Sequence, residues 1–178
     1  MIRLFALSLL SGCGLYFGPD YGSWTLDDAR ITSFVCMDEG FDDSPFSDAH
    51  ALFIEKTGYP LTFDMSYEPM QWPSGPFKSR CTLDDKEFTC DWSESEWSAT
   101  ASGITPTDAG TCAQSLADPE TESCWSQIME ANGLFAGEEN QRLSVTYVYT
   151  LTCITGAECS LTPGEARCTA VIDADYSF

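Results

Sequence analysis

Basic residues are few. Eight Lys and Arg stand against 28 Asp and Glu, leaving a formal charge of −20. So acidic a chain excludes nucleic acid as a partner, because phosphates must be neutralised by Lys and Arg. It also excludes electrostatic docking on an anionic bilayer. Histidine is nearly absent: His50 stands alone, two residues after Asp48. No C-x2-C pair occurs, so metal binding through Cys and His has no starting point. No G-x-S-x-G elbow, H-E-x-x-H helix, phosphate loop or dinucleotide fingerprint is present. With 28 acidic residues, any carboxylate pair chosen as a glycosidase site would be arbitrary. A non-enzyme without catalytic residues, cofactor or metal is the expectation. No apolar run reaches the roughly 18 to 20 residues needed to cross a membrane as a helix. Disorder, the other common meaning of high net charge, is opposed by 43 % hydrophobic and 13 % aromatic residues.

Cysteine is plentiful, and its distribution points to export. The chain opens MIRLFALSLLSGC: Arg3, an apolar run from Leu4 to Leu10, then Ser11, Gly12 and Cys13. A charged start, an apolar stretch and small residues form the order of an export signal. Leu10-Ser11-Gly12-Cys13 resembles the lipobox of bacterial lipoproteins. The resemblance implies that residues 1–12 are a signal peptide and that Cys13 becomes the lipidated first residue. Gly14 stands where an Asp retains such proteins at the inner membrane, so the resemblance favours an outer-membrane lipid anchor, such as palmitate. The membrane, reached through the N-terminal lipid, is then one partner. Residues 13–22 would be a short tether, and 23–178 a single β domain. Setting Cys13 aside leaves an even number of cysteines, as a disulfide framework in an oxidising compartment requires.

The body of the chain alternates apolar and polar residues, the mark of antiparallel sheet wetted on one face. Eight strands are expected: Ser23 to Cys36, interrupted near Asp27-Asp28; His50 to Lys56; Leu61 to Tyr67; Phe77 to Leu83; Phe88 to Trp92; Trp97 to Ile104; Leu143 to Cys153; and Cys168 to Phe178. Eight strands suffice to close an up-and-down barrel; a β-sandwich is the alternative. In the hairpin around Asp84 to Glu87, Cys81 falls opposite Cys90, and Phe77, Cys81, Leu83, Phe88, Cys90 and Trp92 share a face. At Pro106, which cannot donate to a strand ladder, the alternation stops. Residues 105–140 form an insertion in which Trp125, Ile128 and Met129, spaced i, i+3, i+4, predict a short helix ending near Gly133. Four disulfides are expected: Cys81–Cys90 across the hairpin, Cys112–Cys124 stapling the insertion, Cys153–Cys159 around the last turn, and Cys36–Cys168 tying the first strand to the last.

Gly22-Ser23-Trp24, at the head of the first strand, is similar to the G-x-W motif of the lipocalins. That resemblance implies a barrel with Trp24 plugging one end and a small apolar ligand entering at the other. It also implies a basic residue packed on the Trp, for which Arg167 is the candidate. The lining expected for such a ligand is Trp24, Met65, Tyr67, Trp72, Trp97, Tyr147 and Tyr149. The alternative is a filled structural module meeting another envelope protein.

The remaining motifs have bland readings. Met65, Tyr67, Met70, Trp72 and Phe77, among Pro69, Pro73 and Pro76, make an apolar stretch that would line a barrel mouth or meet a partner. Trp97, Ala99, Ala101 and Gly103 share a face whose small side chains would leave room for a ligand inside a barrel; packing under a bulky neighbour or the insertion helix is the favoured expectation. Asp38, Glu39, Asp42, Asp43 and Asp48 lack EF-hand spacing and read as a solvated acidic loop.

Overall fold

The computed structural model describes residues 19–36, 49–69, 77–100, 103–137, 140–157, 159 and 166–178. They form ten strands and one four-residue helix: β1 Gly22–Cys36, β2 Ala49–Lys56, β3 Thr62–Pro69, β4 Phe77–Asp84, β5 Glu87–Cys90, β6 Ser93–Thr100, β7 Gly103–Thr107, α1 Cys112–Ser115, β8 Ser123–Ala136, β9 Arg142–Gly156 and β10 Ala166–Ser177. The order is β5-β4-β3-β2-β1-β10-β9-β8-β6-β7, every neighbour antiparallel, with a further pairing of β5 to β8. That last pairing closes a ring. The chain meanders from β1 to β5, leaves the ring through β6, β7 and α1, and returns at β8.

The alternation seen in the sequence becomes the inner face of this ring. Along β9, Leu143, Val145, Tyr147, Tyr149, Leu151 and Cys153 are buried, while the residues between them are partly or fully exposed. β1 slips register between Leu26 and Asp28, where the interruption was expected. The hairpin register is Cys81 opposite Cys90 and Leu83 opposite Phe88, closed by a tight turn with Asp85 at φ 58°. The disulfides are Cys36–Cys168, Cys81–Cys90, Cys112–Cys124 and Cys153–Cys159, the four pairs expected.

Several expectations need correction. The strand Trp97 to Ile104 is a hairpin, since β6 ends at Thr100 and β7 begins at Gly103. Pro106 lies within β7, opposite Trp97; among the described residues no strand lies beyond β7, and an edge strand tolerates a residue without an N–H. The helix over Trp125, Ile128 and Met129 is strand β8 instead, and the only helix among the described residues is Cys112–Ser115. Trp125, Gln127, Met129 and Ala131 face inward at period two; the polar Gln127 hid that alternation. The opposite face of β8 is buried as well, at Cys124 and Ser126, so apolar residues fall on both faces and imitate helical spacing. Trp92 leaves the shared face of its hairpin and is exposed. Arg167 lies in β10 next to Cys168, which pairs with Cys36, twelve positions along β1 from Trp24. The acidic residues between Asp38 and Asp48, together with Met70, Trp72 and Ala101, lie outside the described residues.

Candidate functional site

The ring interior carries most of the residues expected to line a ligand. Trp24, Met65, Tyr67, Tyr147 and Tyr149 belong to one buried cluster, none more than 3 % exposed. They touch one another and their neighbours. Near the start of β1, Phe135 of β8 is surrounded by Trp24, Phe63 and Phe88, with ring centroids 5.9, 5.8 and 5.3 Å away. The Trp24 indole N–H donates to the Asp20 carbonyl at 3.2 Å, and Phe178 packs edge-on at 5.4 Å. Further along, Tyr67 lies 4.8 Å from Tyr147 and 6.3 Å from Tyr149, and Phe77 lies 6.1 Å from Tyr149. Such separations are those of aromatic rings in direct contact. They leave no ligand-sized space between these side chains.

Trp97 does not join that group. It packs in a second cluster with Trp125, Leu151, Cys153, Cys159 and Cys168, toward the other end of the ring. Trp72 lies outside the described residues.

Burial holds three interior tyrosines, Tyr147, Tyr149 and Tyr176, in the neutral form. The Tyr147 and Tyr176 hydroxyls lie 3.1 Å apart. Burial raises the Tyr147, Tyr149 and Tyr176 hydroxyls above their ordinary value of 10.0, because an ionised phenol would lose its hydration. A raised folded value means that their stabilising contribution is intact below about pH 10 and is lost as pH climbs above it. We predict a steep alkaline loss of stability, about 1.4 kcal/mol per pH unit for each tyrosine that ionises only on unfolding. Urea titrations between pH 8 and about pH 11 check this: Tyr147→Phe with Tyr176→Phe should flatten the dependence, and an unchanged slope would refute the assignment.

Sequence reasoning missed Gln127. It is 1 % exposed, faces inward opposite Ser95, and neither amide atom has a hydrogen-bond partner; the Ser79, Ser93 and Ser95 hydroxyls are likewise unpartnered. Leaving a buried amide unmatched costs about 1 to 3 kcal/mol. Only a polar residue breaking the alternation of β8 hints at it in the sequence.

On the outer face, α1 covers the junction of β6 and β8. The Cys112 N–H donates to the Glu96 carboxylate at 3.0 Å, and Glu96 is 5 % exposed. Ligand atoms of Glu96, Cys112 and Cys124 converge within 4.8 Å. Both sulfurs are spent in their mutual disulfide, so neither is the thiolate that a metal takes. A wide groove of about 800 Å³ crosses the outside of β5, β8, β9, β10 and β1; its walls include Asp28, Arg30, Glu87, Asp173 and Asp175. It is open and hydrophilic. Arg30 meets Asp173 there at 3.7 Å, an exposed pair of little energetic weight.

No protein-family model, curated protein sequence or solved structure matches this chain. The fold and its interior define an all-β, disulfide-tied ring.

Proposed function

We propose that the protein is a non-enzymatic lipoprotein of a bacterial envelope, anchored through Cys13. Its β ring would act as a rigid scaffold for contacts with another envelope protein. The observation that carries this reading is the packed interior: five of the residues expected to line a ligand cavity are instead in contact within the core. Four disulfides make the scaffold stiff, as suits an oxidising compartment. Anchoring rests on the lipobox resemblance and on the even cysteine count that remains beyond Cys13.

A second reading, carriage of a small ligand as the lipocalin resemblance implies, is favoured by one feature. The unmatched amide of Gln127 and the neighbouring serine hydroxyls could receive the polar end of an otherwise apolar molecule. The packed aromatic interior argues for the scaffold.

Anchoring is tested by producing the full chain and its Cys13→Ser variant in a bacterial host fed an alkyne fatty acid. The wild type should take up label and partition with membranes; the variant should do neither. Equal membrane association of both would overturn the reading.

A further inference from the structure

The end of the ring at which the chain enters β1 presents apolar tips to solvent. Tyr59 is 71 % exposed, Phe178 55 %, Leu61 45 % and Tyr21 39 %. Tyr21, Tyr59 and Leu61 line one groove of about 530 Å³ with Pro19, Pro60 and Lys56, and the Lys56 ammonium lies 6.0 Å from the centre of the Tyr21 ring. Phe178 belongs to the same end, packed on Trp24.

The turn carrying Tyr59 and Leu61 is built to hold them outward. Leu61 adopts a left-handed φ of 62°, which bulky side chains rarely do. Its carbonyl accepts the Leu83 N–H at 2.8 Å. The Thr57 hydroxyl donates to the Thr62 carbonyl at 2.9 Å and accepts the Tyr59 N–H at 3.3 Å. An exposed leucine in a strained, hydrogen-bonded turn gains nothing for the core, so the observation points outward.

We infer that this end is the face laid on the bilayer, with Tyr59, Leu61, Tyr21 and Phe178 entering the headgroup region. The inference rests on the anchoring of Cys13. Five residues lie between Cys13 and Pro19, a span of at most about 22 Å in any conformation. The fifteen residues of β1 run far beyond that, so the Cys36 end lies out of range while the Tyr59 end lies within it. Tyrosines beside a lysine are the composition that membrane interfaces favour. Lys56, Lys86 and Arg142 are offset here by Asp20, Asp84 and Asp85. Contact is therefore apolar rather than electrostatic.

The test uses full-length protein extracted from membranes, its N-terminal mass measured, then placed in phosphatidylcholine vesicles carrying a photoactivatable diazirine phospholipid. Crosslinks should map to residues 19–21, 57–62 and 178. Tyr59→Ser with Leu61→Ser should lower the yield roughly tenfold while leaving the four disulfides and the N-terminal mass unchanged. Added phosphatidylglycerol should not raise it. Acylated protein crosslinked elsewhere, or a variant crosslinked as strongly as wild type, overturns this inference alone. An unmodified Cys13 overturns the anchoring reading and this inference with it.

Discussion

Replacing Cys36 and Cys168 together by alanine is expected to lower the unfolding free energy by about 5 kcal/mol, more than the loss of any other pair. These residues are separated by 132 positions and face each other where β1 meets β10, the seam that joins the first strand of the ring to the last. The cross-link restricts nearly the whole unfolded chain, and loop-closure entropy grows with the logarithm of loop length. The pairs Cys81–Cys90, Cys112–Cys124 and Cys153–Cys159 span 9, 12 and 6 positions. Each should contribute about 2 to 3 kcal/mol by the same argument. Urea unfolding of the four double variants checks the ranking. Equal losses would show that the seam is held by its side chains and ladder rather than by the cross-link.

Gly133→Ala is expected to cost about 3 kcal/mol, an overpacking penalty at the upper end of its usual range. Gly133 sits in β8 opposite Phe88 of β5 on one side and Val145 of β9 on the other, at the pairing that closes the ring. A methyl group there would strike the Ser144 backbone carbonyl and lie 2.6 Å from the Phe88 ring. Backbone cannot yield as a flexible side chain does, so β8 must shift away from β9 and the Phe88 ring of β5 must move with it. Gly58→Ala is the control: its added methyl meets nothing within 4 Å, and stability should barely change. Comparable losses in both variants would refute the close approach as the cause.

Gly133 also marks the limit of what could be read from residues alone. Strands β3, β4, β9 and β10 were legible because each alternates over several residues, and their apolar members line the interior. Cys81 and Cys90 were legible because a short hairpin fixes its own register. The closure of β5 on β8 was not. It joins segments more than forty residues apart, through Asn132, Gly133 and Leu134, whose order carries no apolar–polar alternation pointing inward. The strand character of Trp125 to Met129 was hidden because β8 is buried on both faces there, under α1 outside and beside Trp97 inside. The site residues followed the same division. Trp24, Met65, Tyr67, Tyr147 and Tyr149 were found because inward aromatics are conspicuous; that they would fill the space between them could not be read from spacing. Gln127 was passed over because a glutamine between serine and isoleucine looks like surface.

The proposed scaffold is a filled ring anchored through Cys13. Native mass spectrometry of the protein extracted from membranes tests it most directly. The predicted result is the chain from Cys13 onward, acylated, with four disulfides intact and no further mass released on denaturation. A small molecule retained in equal proportion to protein, and lost when Gln127 is replaced by leucine, would contradict it and establish the ring as a carrier.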